Sequence, residues 1–243
     1  MQIGGFVVKD ELIRKSPLRK FDKSIRGGLG RGNIGVIASR RGVGKTACLV
    51  HIATDKLIAG QRVIHVSYAR RVDHIISWYE DIFKEISQKR DLENAIEVHD
   101  EIVHNRVIMN FSQRGTSVAQ VISGLSAMMD NGQLNTEVIV VDGYEFTQAD
   151  YQELYKFKKF ALDKEVELWF TDDYDEDLVD IPVSSDEGIP ANLIPFLDLI
   201  GVIVKLKAEK DYLHLYLLKD HEETNIKDLP LKLDPKTLLI AEA

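Results

Sequence analysis

The chain has 243 residues, of which 44% are hydrophobic and 29% charged; Lys+Arg total 31 against Asp+Glu 39, for a formal net charge of −8. This composition excludes a disordered polymer, and the length suits one large α/β unit as well as two small domains. The single cysteine, Cys48, excludes an intramolecular disulfide framework and a cysteine-based zinc cluster. The opening MQIGGFVVKDELIRKS has no long apolar stretch, and LIGVIV at 199–204 is far shorter than the ~20 residues that span a bilayer. The expectation is a cytoplasmic protein with no membrane contact.

In chain order, GNIGVIAS (32–39) reads as a short buried strand, followed by a helix from Lys45 through Leu57. RVIHVSY (62–68) is the next strand. Val72, Ile75, Ile76, Tyr79, Ile82, Phe83 and Ile86 recur at helical spacing, with Asp73 as a cap near the start. Arg106–Phe111 is a third strand and Ser117–Met129 a third helix. Glu137–Val141 is a nearly all-apolar strand, Ala149–Leu162 a helix, and Glu167–Phe170 a strand. Such alternation builds a parallel sheet with helices on both faces. Beyond it, Ala191–Leu197 reads as a short helix limited by Pro190 and Pro195. Gly201–Lys207 and Tyr212–Lys219 form a hairpin, and Leu238–Ile240 is a last edge strand.

Charge is unevenly distributed. From Asp172 to Gly188 the chain carries eight acids and no Lys or Arg; without them the remainder is formally neutral. A solvated loop is the plain reading. A cation site, a dock for a basic partner or a shield against nucleic acid are the sharper ones. The spacing does not match a calcium-binding loop.

The chemical signal follows the first strand. Ser39-Arg40-Arg41-Gly42-Val43-Gly44-Lys45-Thr46 has the layout G-x-x-x-x-G-K-[ST], with Ser39 in place of the first Gly. Gly42 and Gly44 let the backbone turn so that successive N–H groups point at phosphate oxygens. The following helix adds its positive N-terminal dipole. Arg41, Gly42, Val43, Gly44, Lys45, Thr46 and Ala47 are therefore the candidate nucleotide-binding residues. Lys45 would neutralise the outer phosphates and Thr46 ligate Mg²⁺. Val138–Val141 ends in Asp142, the position from which a carboxylate on a neighbouring strand orients Mg²⁺. Thr46 and Asp142 are the candidate metal residues.

These residues, with Arg26-Gly27-Gly28-Leu29-Gly30-Arg31-Gly32-Asn33 before them and the strand Arg62–Tyr68 after, resemble RecA-like P-loop ATPases of the KaiC and DnaB-helicase branch. The resemblance implies an α/β, RecA-like core over residues 1–243, with 1–30 as a lead, 172–188 as an acidic loop and an antiparallel hairpin extension at the C-terminal end. It implies ATP and Mg²⁺ as ligands, at sites that relatives often place between subunits of a ring or filament. Three departures follow. The family's water-activating Glu after the second strand is here Ala69, which cannot act as a base. The family's late Lys-x-Arg pair reads Lys219-Asp220-His221. Thr171 stands nearest the family's polar γ-phosphate sensor. Glu145 is a substitute base and Lys219 a residual phosphate contact, so the catalytic candidates are Lys45, Glu145 and Lys219.

The reading is nucleotide binding with weak or absent hydrolysis, as an assembly or signalling module. The alternatives are an active ATPase whose site a neighbouring subunit completes, even one acting on DNA, and a scaffold that no longer binds nucleotide. The acidic segment opposes nucleic-acid binding, although Tyr174 could stack a base. A homo-oligomer or protein partner is expected, with the basic lead (Arg14, Lys15, Arg19, Lys20, Lys23, Arg26) meeting a neighbour's acidic loop head-to-tail.

Overall fold

The computed structural model describes residues 13–68, 71–89, 92, 94–131, 135–174, 188–209, 211–224 and 227–242. Its first elements are α1 (Leu18–Ser24), β1 (Ile34–Ser39), α2 (Lys45–Ile58), β2 (Arg62–Ser67), α3 (Val72–Lys89), α4 (Ala95–Asn105), β3 (Arg106–Asn110) and α5 (Val118–Asn131). They are followed by β4 (Thr136–Asp142), α6 (Tyr151–Lys164), β5 (Glu167–Asp173), β6 (Ile200–Glu209), β7 (Tyr212–Asp220), β8 (Lys227–Leu233) and β9 (Ile240–Glu242). All nine strands join one sheet in the order β3-β2-β4-β5-β1-β6-β7-β8-β9. Pairings from β3 to β6 are parallel, and those from β6 to β9 antiparallel. β6 itself therefore belongs to the parallel part, and the antiparallel extension begins at β7.

Two apolar layers cover the two faces, because strand side chains alternate. One layer holds Leu49, Ile52 and Leu57 of α2, Ile82 of α3, Ile102 of α4, and Val138, Val140 and Trp169 of the sheet. The other holds Val121 and Leu125 of α5, Leu154 and Phe157 of α6, and Ile139, Val141, Leu168 and Phe170. No described helix is long and apolar enough to cross a membrane.

The helix starts follow local chemistry. Asp150 caps α6 by accepting the Glu153 N–H at 2.8 Å. Ser117 and Gln120 cap α5 reciprocally: the Ser117 N–H donates to Gln120 Oε1 at 2.8 Å, and the Gln120 N–H to Ser117 Oγ at 3.3 Å. Asp73 does not cap α3; it lies within the first turn and pairs with Arg71. Two elements lie outside the expected set, α4 and β8. The expected helix at 191–197 is a single 3₁₀ turn, Ile194–Phe196. The last strand sits two residues later than expected.

The basic lead is engaged within the chain. Arg19 pairs with Asp22 and Asp55, Lys20 with Glu242, and Arg26 with Asp220 and Glu223. The expectation that this lead meets a neighbour's acidic loop is thus corrected for these three residues, because acids of the same chain already face them.

At Gly35 the sheet admits no side chain: a Cβ there would lie 2.5 Å from Trp169 Cε3. Trp169 stands opposite Gly35 in the β1–β5 register, is 2% exposed, and has its ring 5.8 Å from that of Phe21. Gly35→Ala forces the indole off its seat and should lower stability by about 1–3 kcal/mol. Urea unfolding followed by tryptophan emission measures this. An unchanged midpoint would show that the ring yields freely.

Candidate phosphate-binding site

The strand order places β4, β5 and β1 side by side, and their carboxyl ends share one edge. Alternation then selects the side chains. Val138, Val140 and Trp169 face α2, so Asp142, Thr171 and Asp173, each an even number of residues further along, turn to the same face. Ser39, the last residue of β1, is opposite Asp173 in register. The chain then turns through Gly42 (φ 79°) and Gly44 (φ 117°) into α2. A Cβ on Gly44 would also come within 3.1 Å of Leu233 and 3.2 Å of Leu213, so the antiparallel strands buttress the loop. No L side chain fits both constraints comfortably.

α2 begins without a side-chain cap and has no acid in its first turn. Its first N–H groups and the positive end of its dipole are thus left for an external anion. Lys45 is buried and folds back over the loop, donating to the Ser39 carbonyl at 3.3 Å, Ser39 Oγ at 3.2 Å and the Arg40 carbonyl at 3.0 Å. It also forms an ion pair with Asp173. Ser39 Oγ donates to the Arg40 carbonyl at 2.8 Å, so the serine at the head of the motif ties the turn together. Arg40 and Arg41 are exposed.

Beside the loop, Thr46 Oγ1 lies 3.2 and 3.1 Å from the two carboxylate oxygens of Asp142. Thr171 Oγ1 donates to Asp142 Oδ1 at 2.9 Å and accepts the Gly143 N–H at 2.9 Å. Burial raises the Asp142 pKa, while the Thr171 and Thr46 hydroxyls and the Lys45 charge pull it down. A hydroxyl and a carboxylate in contact are hard oxygen donors of the kind Mg²⁺ takes with waters and phosphate. These two residues fit that ion.

The other candidates fall elsewhere. Glu145 does not join the loop. The chain turns at Gly143 (φ 82°), Tyr144 and Phe146 enter the α5–α6 layer, and the exposed Glu145 lines a separate cavity of about 190 Å³ with Tyr68, Gln113, Tyr144 and Glu153. Lys219 lies opposite Ile203, level with Val36 near the start of β1, which is the sheet edge remote from the loop. Its ammonium donates to the His221 carbonyl. Neither residue can act on a ligand in this chain's own loop from there. His221 Nε2 lies 3.2 Å from the Leu29 carbonyl and Nδ1 2.9 Å from Asp220. Ala69 and residues 175–187 of the acidic segment lie outside the described residues. The Tyr174 ring carries the Lys205 ammonium 5.1 Å from its centroid. Cys48 is buried and its thiol is pushed up to about 12, which makes it unreactive.

Sequence reasoning did not identify Asp172 and Asp173 as parts of the site. Asp172 is 1% exposed and faces away from α2. Its Oδ1 accepts from Asn192 Nδ2 at 2.7 Å, and its Oδ2 is buried without a hydrogen-bond partner among the described residues. Burial pushes its pKa up to about 7; Asp173 adds to the rise, and Asn192 and Lys45 oppose it. The folded chain therefore holds this proton more tightly than the unfolded chain does. The stability from Asp172 is intact below the ordinary value of 3.8 and is lost as the pH rises toward about 7. Asp172→Asn should raise the melting temperature more at about pH 8 than at about pH 5. Equal shifts at both, in parallel thermal melts, would mean the carboxyl titrates normally.

No family model and no curated protein matches the chain. Solved structures do: 511 chains match. Among them is the ATPase domain of a DnaB-like helicase, with a TM-score of 0.67 over 92% of this chain and 89% of that one, at 16% identity. The likeness lies in the fold, which is a RecA-like α/β sheet, parallel through β6, flanked by helices and extended by antiparallel strands.

Proposed function

We propose that the chain binds ATP with Mg²⁺ in the loop between β1 and α2, hydrolyses it slowly or not at all, and uses the bound nucleotide as a signal for conformation or assembly. The observation that carries this is the uncapped start of α2 with Lys45 over the loop and the Thr46–Asp142 pair beside it. Gly42 through Ala47 would hold the phosphate tail by main-chain N–H groups, and Lys45 would neutralise it. Thr46 and Asp142 would hold Mg²⁺, which supplies charge neutralisation between the phosphates.

Slow turnover follows from what surrounds the loop. Position 69 is an alanine, Glu145 lines another cavity, and Lys219 sits at the far sheet edge. A positioned base contributes typically ~10²–10⁴-fold and a cationic finger ~10³–10⁵-fold in such reactions. Without them, bound ATP persists. It can then act only through different affinities for two states of the chain or of its assembly. We extend this reading to a self-associating chain of one domain.

Calorimetric titration with magnesium ATP should show binding that Lys45→Ala weakens by about ten- to hundredfold, the effect of losing a charge-assisted contact. Turnover should stay far below the ~1 per second at the lower end of typical enzymes. Binding by Lys45→Ala equal to that of the parent would refute the site. Ordinary turnover that rises with protein concentration would instead show that a second copy completes the site.

A further inference from the structure

The Lys45 ammonium is already saturated. An ammonium has three N–H donors, and four acceptors surround this one: the Ser39 carbonyl, Ser39 Oγ, the Arg40 carbonyl and the Asp173 carboxylate. Three of these are neutral groups of the loop. The fourth is an anion delivered by another strand. The β1–β5 register sets Asp173 opposite Ser39, and the Tyr174 N–H donates to the Ser39 carbonyl at 3.3 Å, fastening the end of β5 to the loop. The Lys45 side chain is 9% exposed and that of Asp173 57%, so the carboxylate reaches the ammonium from the solvent side. A phosphate must come from the same side.

A carboxylate oxygen and a phosphate oxygen make the same charge-assisted contact with an ammonium. We propose that Asp173 is an internal competitor for phosphate at Lys45, so that a nucleotide tail gains the lysine only by displacing this side chain into water. The proposal rests on the reading of the loop as a phosphate site, and it assigns the control of that site to the chain itself. Displacement is easy, because an exposed carboxylate rehydrates at little cost. It also removes an anion from beside Asp142 and Asp172, both buried close to the same lysine. Asp173 therefore lowers the affinity of the loop without closing it, and any partner that drew this carboxylate away would raise the affinity.

The test is calorimetric titration of the parent chain, Asp173→Asn, Asp173→Ser and a control, Asp163→Asn on the exposed far end of α6, with magnesium ATPγS and with inorganic tripolyphosphate. Both Asp173 variants should bind both ligands about three- to tenfold more tightly than the parent, by a similar factor for each ligand, since the competition concerns only the phosphate tail. The control should bind like the parent. A parent chain too weak to measure beside an Asp173→Asn chain that binds would support the proposal equally. Unchanged or weaker binding by both variants, with the parent binding, would overturn the proposal and leave the phosphate site standing. No binding of either ligand by any chain would remove both. Thermal melts confirm that each variant is folded.

Discussion

An α-helix that begins without a capping side chain leaves its first N–H groups unsatisfied, and in this chain that happens at α2, at the carboxyl edge of the central strand. Everything near that edge follows from the need to hold the preceding turn open. Gly44 takes a left-handed backbone that brings it against Leu213 and Leu233. Ser39 and Lys45 bind the turn from within, through the Arg40 carbonyl that both of them contact. The result is a concave run of donors beside a buried lysine. Such an arrangement satisfies its own hydrogen bonds poorly until an anion arrives.

The sheet supplies the rest by parity. Because β5 lies between β4 and β1, residues of matching phase on the three strands meet above α2. Asp142, Thr171, Asp173 and Ser39 come from three separate strands and share one edge. Their roles divide. Thr171 fixes the Asp142 carboxylate and the Gly143 turn, Thr46 shares that carboxylate, and Asp173 neutralises Lys45. Asp172 has the opposite phase and lies buried on the other face, where Asn192 bonds to one of its oxygens. One step along a strand thus separates a carboxylate that guards the loop from one held close to neutrality.

Much of this was legible in the sequence, and the failures have physical causes. The glycine-lysine-threonine turn and the apolar strand ending in Asp142 are local patterns, and the structure brings Thr46 and Asp142 into contact across 96 positions. α4 escaped because Ile96 and Val103 point outward and blur the buried period of Val98 and Ile102. β8 escaped because Pro230 interrupts the alternation of Leu229, Leu231 and Leu233. The pairing of Lys45 with Asp173 depends on the β1–β5 register, which no local pattern encodes. The position of Lys219 depends on β7 running antiparallel, so that its end lies at the edge opposite the loop. The basic lead looked available for a neighbour because its partners, Asp55, Asp220, Glu223 and Glu242, lie far away in sequence.

The central claim is that the main-chain N–H groups from Gly42 to Ala47 receive the phosphate tail of a nucleotide. Hydrogen exchange of those amides, with and without saturating magnesium ATP, tests it most directly. The account requires their exchange to slow markedly while the amides at the opposite sheet edge, around Asn33 and Lys219, keep their rates. Exchange at the loop that nucleotide leaves untouched would contradict it.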